Sequence, residues 1–308
     1  MKKLRKILKK VLLSLLAVLL AAVLCLIVAL GWFYPRYVSN KKTVPVPGPD
    51  GKEICVMSCN LRCMTPLDFG RKTWFYRANL IMEDIAQQDP GIIGFQEATK
   101  WQYRYLVDVL TGYDSVITYR DTSPLSEGCP IFYNTALYTL VDKGSFWLSE
   151  TPDEMSKDWD SACYRICSYV ILTENSSGRD FVVFNTHLDH VSDLARINGI
   201  NVVLDKIARF GSLPSVIMGD FNALEGSETY QSVTSSFDDA LYEAETAAGT
   251  SYTYQNWGNL ENAKRLDYFM LSPDDFLVRE YQVIPAVHNG TYSSDHCPIV
   301  MSAVLADE

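Results

Sequence analysis

The run YSSDHCP at residues 292–298 sets Asp295 directly before His296. Such a pair means little alone, but similar side chains recur wherever an apolar run begins or ends: Asn60, Glu97, His187 with Asp189, Asp220 with Asn222, and Asp267. Carboxylates, amides and imidazoles delivered from separate strand ends are the donors that a hard divalent cation and a phosphate ester require. Glu97 closes IIGFQE, where a buried strand would hold its carboxylate rigidly at a solvent-facing end. In FNTHLDH, His187 and Asp189 stand two apart and share one face if the strand continues. MGDFNA repeats that spacing with Asp220 and Asn222, oxygen donors that suit magnesium, although Gly219 and Asn222 equally suit a plain turn. Asp267 opens the apolar part of RLDYFML and is the natural carboxylate to fix the tautomer of His296 and raise its basicity. Three of the four histidines, His187, His190 and His296, fall inside these clusters. The chain has no G-x-S-x-G elbow, P-loop or dinucleotide glycine fingerprint, which removes the serine-hydrolase and nucleoside-triphosphatase readings.

The elements that must position these residues are strands alternating with a few helices. Apolar runs predict strands at Ile54–Leu61, Ile92–Phe95, Ala136–Leu140, Cys167–Thr173, Phe181–Asn185, Val216–Met218 and Tyr268–Leu271. Helical spacing predicts helices at Arg71–Gln88, stopped by Asp89-Pro90-Gly91, and at Trp101–Leu110, Leu194–Phe210 and Ser227–Thr234. Many strands without regular β-α-β alternation predict two stacked sheets flanked by helices. Trp257 and Tyr252 to Tyr254 read as core packing or loop anchoring, with pocket lining as the alternative.

Residues 1–10 carry six positive charges and no acid, and residues 11–33 are apolar apart from Ser14 and Gly31. About 20 apolar residues suffice to span a bilayer as a helix. Preceding positive charge keeps the N-terminus cytoplasmic, so the remainder is expected outside the cytoplasm, on a single-pass protein of the cell membrane. A cleaved signal peptide, giving a secreted form, is the rival reading; the length of the run and the lack of a small-x-small site at Ile27–Leu30 favour the anchor. Residues 34–52, with Pro35, Pro45, Pro47 and Pro49, read as an extended tether, leaving residues 53–308 as one domain. Removing the six N-terminal charges from the formal −10 leaves −16 on residues 11–308, which disfavours a nucleic-acid partner without excluding it. The eight cysteines show no C-x-x-C pair and read mainly as buried apolar residues rather than zinc ligands; extracytoplasmic disulfides are possible, and the sequence does not assign them.

In their order, SCNLR, GFQE, FNTHLDH, MGDFNA, LDYFM and SSDHCP resemble the metal-dependent endonuclease/exonuclease/phosphatase superfamily over about residues 53–306. GSFWLSETPDE and the stretch from Trp159 to Arg165 look like a bacterial branch near its deadenylase-like subfamily. The resemblance implies an α+β fold, a four-layer α/β/β/α sandwich of DNase I-like type with its site at one rim. It implies Glu97 as principal metal ligand, with Asn60 and Asp295 close by, and Mg²⁺ as cofactor, with Mn²⁺ as a substitute. Asp220 would orient or deprotonate water, Asn222 would hold a phosphate oxygen, and His187 would stabilise the pentacovalent phosphorus. His296, oriented by Asp267, would be the general acid-base residue, and Arg165 would face the scissile phosphate. The expected activity is hydrolysis of phosphodiesters or phosphomonoesters by a monomer. A nuclease, a sphingomyelinase- or inositol-phosphatase-like enzyme, and a non-catalytic surface module are the alternatives. Substrate choice is assigned to the rim loops 65–73, 122–129 and 244–264.

Overall fold

Side chains alternate across a strand, so a strand buried on both faces reads as an unbroken apolar run. A computed structural model describes residues 2–39 and 53–307, and two such runs form the centre of each of two sheets. The first sheet has the order Thr246–Ala248, Phe276–Val283, Ile299–Leu305, Ile54–Asn60, Ile92–Gln96, Ile131–Asn134, Tyr113–Val116. The second has the order Asp238–Asp239, Asp267–Leu271, Ser215–Asp220, Asp180–His187, Ile166–Glu174, Tyr138–Trp147. In each the central pair is parallel, Ile54–Asn60 with Ile92–Gln96 and Asp180–His187 with Ser215–Asp220, and the other pairings are antiparallel except that of Thr246–Ala248 with Phe276–Val283. All four central strands therefore end at one rim, and that rim carries the polar clusters.

The sheets pack through Val56, Ile92, Val183, Val216, Met218 and Phe269, all fully buried. Gly94 makes the close approach possible, since a Cβ there would lie 2.3 Å from Met218 Cε. On the outer face of the second sheet, Phe184, Ile217 and Tyr268 meet Ile200 and Val203 of the helix Asp193–Ala208 and Val233 of the helix Glu228–Thr234. The helices Trp74–Gln88 and Lys100–Val109 form the fourth layer, with Tyr103 against Phe132 at 5.7 Å between ring centroids. The domain is thus a four-layer α/β/β/α sandwich.

The expected elements shift at their ends for local reasons. The helix predicted from Arg71 begins at Trp74, because Gly70–Lys72 forms a separate 3₁₀ turn closed by the Thr73 N–H on Gly70 O. The strand predicted at Ala136–Leu140 runs from Tyr138 to Trp147, a length its charged, edge-exposed residues hide from an apolar count. Periodicity gives no strand at Phe276–Val283, where a register shift between Val278 and Glu280 breaks the alternation.

At the N-terminus a single helix runs Lys2–Ser39, and its Lys2–Val28 part is long and apolar enough to cross a membrane by length and composition. By the same test it fits a signal sequence. The helix continues through Pro35 to Ser39, so the first part of the predicted tether is helical, and residues 40–52 lie outside the described residues.

Candidate active site

Register brings the polar residues together. Asp220 lies opposite His187 in the parallel pair and opposite Asp267 in the antiparallel one. The parity that places Val216 and Met218 between the sheets continues to Asp220, so all three side chains project from the inter-sheet face just where it opens to solvent. Gly219 permits this row: its φ is +139°, and a Cβ would lie 1.9 Å from Thr186 O. From the first sheet, Asn60 projects into the same space. Its Nδ2 donates to Asp220 Oδ2 at 3.0 Å and to Glu97 Oε1 at 3.1 Å, tying the two sheets together.

Glu97 and Asn222 each follow the end of a central strand in the left-handed region, at φ 59° and 49°. That conformation is held by hydrogen bonds: Cys63 N–H donates to Glu97 Oε2 at 2.7 Å, and Asn222 N–H donates to Asp220 Oδ1 at 2.9 Å. Asn222 Nδ2 gives one hydrogen to Leu188 O at 3.1 Å, which leaves its second hydrogen for a ligand. Asp267 Oδ2 contacts His296 Nδ1 at 2.9 Å, turning His296 Nε2 towards Asp220, 3.6 Å away. His187 Nε2 also stands 3.6 Å from Asp220 Oδ2. Asp295 is buried beside them, with Oδ2 3.9 Å from Arg62 Nη1.

The environments push these groups apart. Burial lifts the Asp220 carboxyl to about 7, with the charge of His296 opposing the rise and that of Asp267 adding to it. Burial would lower His296, but the carboxylates of Asp267 and Asp220 outweigh it and raise the imidazole to about 10. His187 goes the other way: burial, then the guanidinium groups of Arg165 and Arg120, hold it well below its usual value, as a neutral ring. Glu97 is pulled below the usual carboxylate range because the Cys63 N–H and nearby positive charge overcome its burial.

An open cleft of about 390 Å³ is lined by Glu97, His187, Asp220, Asn222, Asp295 and His296, with Arg165 on its wall. Of the sequence-predicted residues, Asn60 and Asp267 stand immediately behind this lining, bonded to Asp220 and His296 respectively. Asp189 is the exception to the shared-face expectation. The strand ends at His187, and Asp189 turns away to accept from Ser161 Oγ, Ala162 N, Val191 N and Ser192 N while pairing with Arg165. It anchors the loop that presents Arg165, whose Nη2 lies 2.9 Å from His190 Nδ1.

Sequence reasoning assigns no role to Arg62, Arg120, Glu127 or Lys264, which also line the cleft. Arg120 and Glu127 form a two-pronged ion pair across the 122–129 loop, a contact with no periodic signature. Tyr254 lines the cleft with its ring edge-on to His296 at 5.0 Å, so the pocket-lining alternative holds for this tyrosine. Loop 244–264 supplies Tyr254 and Lys264, and loop 122–129 supplies Glu127; the expected loop 65–73 supplies none, Arg62 and Cys63 just before it doing so instead. All eight cysteines are free thiols, Cys59, Cys129, Cys167 and Cys297 among them being buried.

The model of the endonuclease/exonuclease/phosphatase family matches residues 57–296. The chain belongs to this family. A mannosyl-6-phosphatase from Bacteroides thetaiotaomicron is 31% identical, superposes with a TM-score of 0.76, and aligns over 82% of this chain and 100% of that one. An endonuclease/exonuclease/phosphatase from Bacteroides vulgatus is 29% identical with a TM-score of 0.78 over 83% of this chain and all of that one. Among curated proteins, Nocturnin is 27% identical in Drosophila melanogaster over 49% of this chain and 25% identical in human over 76% of it. The chain spans 24% of the fly protein and 59% of the human one. Enzymes of this family hydrolyse phosphoesters and generally depend on a divalent metal.

The residues present fit such an ion. Glu97 lies close enough to the buried carboxylates of Asp220 and Asp295 that its charge acts on both. Asp220, Asp267 and His296 offer ligand atoms within 4.8 Å of one another. Within that trio Asp267 and His296 are hydrogen-bonded to each other, while Asp220 stands 3.6 Å from the ring.

Away from the cleft, Asp84 accepts from Ser293 Oγ at 2.8 Å and contacts His288 Nε2 at 2.8 Å, joining a helix to the segment that leads into Asp295. The hydrogen bond to Asp84 raises the His288 imidazole, against the effect of burial. A raised folded-state value means that this stabilisation is full below about pH 6.5, the unfolded value, and is lost as pH rises through the folded one. Thermal unfolding should therefore show a larger loss of Tm from about pH 6 to about pH 9 in the wild-type chain than in His288→Gln. Parallel profiles would refute the link.

Proposed function

We propose that the protein is a Mg²⁺-dependent phosphoesterase acting on a small phosphomonoester, of the sugar-phosphate class, outside the cytoplasm. The observation that carries this reading is the convergence at one rim of Glu97, Asn60 and Asp295 with Asp220 and the Asp267–His296 pair. The small-substrate part is supported by the modest cleft and by the full-length similarity to a mannosyl-6-phosphatase. An acidic body with a few cleft cations suits a compact anion better than a long polyanion. The apolar N-terminal helix supports membrane attachment.

Glu97, Asn60 and Asp295 would hold the cation. Bound there, Mg²⁺ supplies charge neutralisation on the phosphate oxygens and the leaving oxygen. Asp220, whose carboxyl is lifted to about 7, orients a water molecule and in its ionised form accepts the proton as the water attacks phosphorus. Charge then grows on the phosphoryl oxygens, where neutral His187 donates a hydrogen bond alongside the amide of Asn222 and the guanidinium of Arg165. His296, kept protonated by Asp267, delivers a proton to the departing alkoxide from Nε2.

The test is hydrolysis of p-nitrophenyl phosphate, bis(p-nitrophenyl) phosphate and mannose 6-phosphate, each with Mg²⁺ and with EDTA. We expect the monoesters to be cleaved faster than the diester and EDTA to abolish the activity, with Mg²⁺ or Mn²⁺ restoring it. Activity indifferent to EDTA would sink the metal-dependent reading, and preference for the diester or for single-stranded RNA would replace the substrate class. Protease added to intact cells should remove the domain if it faces outward.

A further inference from the structure

Arg77, fully buried in the first turns of the helix Trp74–Gln88, has no part in the chemistry above. Its partners are backbone carbonyls rather than carboxylates. Nε donates to Lys72 O at 2.7 Å, Nη1 to Leu61 O at 2.7 Å and Ser293 O at 2.9 Å, and Nη2 to Arg62 O at 3.1 Å. Leu61 and Arg62 directly follow Asn60, and Ser293 lies two residues before Asp295. The guanidinium also stacks over Trp257, 5.3 Å from the ring centroid, and Trp257 sits at φ 59° in the loop that carries Tyr254 against His296. One buried cation thus joins the three segments that deliver Asn60, Asp295 and Tyr254.

A buried charge is costly unless it is paired or well hydrogen-bonded, and here the hydrogen bonds go to neutral carbonyls. The negative charges acting on Arg77 are those of Asp295, Asp68 and Glu97, none of them a hydrogen-bonding partner. Its position behind these carboxylates, together with a planar fork gripping their supporting backbone, gives it two effects at once. It fixes where Asn60 and Asp295 stand, and it offsets the mutual repulsion of the carboxylates.

We propose that Arg77, braced by Trp257, is the positioning residue for the cation-binding half of the site. This inference rests on the metal-dependent reading above but concerns residues that touch neither substrate nor cation. Arg77→Lys would keep the charge and lose the fork, and Trp257→Leu would remove the stack on the loop side while leaving Arg77 in place against Trp74. Trp257→Phe would retain a ring.

The experiment uses the full chain in detergent and titrates Mn²⁺ alone by calorimetry, with kcat and KM for p-nitrophenyl phosphate measured at saturating Mn²⁺. Residues that orient metal ligands typically cost about 10–100-fold in affinity or activity when replaced. We expect Arg77→Lys to weaken Mn²⁺ binding by about tenfold or more and to lower kcat, with KM little changed. Trp257→Leu should do the same to a lesser degree, and Trp257→Phe should restore wild-type binding. If Arg77→Lys fails to fold by circular dichroism, the Trp257 pair decides alone. Folded variants that bind Mn²⁺ like the wild type, or equal losses in Trp257→Leu and Trp257→Phe, would overturn the positioning role. Absence of Mn²⁺ binding by the wild-type chain would instead overturn the metal-dependent reading beneath it.

Discussion

Replacing His296 by alanine is expected to lower kcat by about 10²–10⁴-fold, the range for losing a positioned acid-base group. The structure gives the reason. His296 is buried, and its Nδ1 engages Asp267 at 2.9 Å, which holds Nε2 facing Asp220 at 3.6 Å. Asp267→Asn should be milder in stability yet comparable in kind, because an amide holds the ring without stabilising its charged form. On the proposed acid-base role of His296, KM should change far less than kcat. Steady-state kinetics on p-nitrophenyl phosphate with Mg²⁺ provide the check. A His296→Ala protein retaining more than about a tenth of wild-type kcat would contradict the role.

The second large effect is on stability. Asp239→Ala should destabilise the fold by about 3–5 kcal/mol, the cost of leaving a buried charge without its partner. Asp239 and Arg265 form a bidentate pair at 2.6 and 2.7 Å, with both side chains almost wholly inside the protein. Tyr230 donates its hydroxyl to the same carboxylate at 2.9 Å, and the guanidinium lies over the Tyr268 ring at 4.5 Å. Removing Asp239 leaves Arg265 with Glu225, a half-exposed partner. The damage should extend to catalysis, since Arg265 leads into the strand that begins at Asp267. Urea unfolding measures the first effect, and kcat at low denaturant the second. A loss below about 1 kcal/mol, the scale of a surface ion pair, would show that the pair is worth no more than an exposed one.

How far the sequence carried the site depends on the residue. Asn60, Glu97, His187, Asp220 and Asp267 were legible as candidates because each sits where an apolar run begins or ends, and strand ends are where rigidity and solvent meet. Asp189 shows the limit of that rule. Its spacing from His187 has strand periodicity only while the strand lasts, and the strand stops one residue too soon. Arg62, Arg120 and Lys264 carried no signal, because a cation on a loop looks alike whether it faces a cleft or the bulk. Arg77 was hidden for another reason: on a helix its apolar neighbours Ala78, Ile81 and Ile85 explain the pattern without it.

By itself the chain determined its reaction class, its central strands and the apolar N-terminal segment, since each is written in local runs of residue type. The motif at Asp295 and His296 belonged to that legible part. Only the tertiary structure decided that Asn60 bridges Glu97 to Asp220, that Asp267 turns His296 towards the same carboxylate, and that one buried arginine ties the rim segments together. Those contacts join residues from 16 positions apart for Leu61 and Arg77, and 29 for Asp267 and His296, to 216 for Arg77 and Ser293. They arise because two sheets pack face to face in one register, and no local pattern encodes the register between sheets.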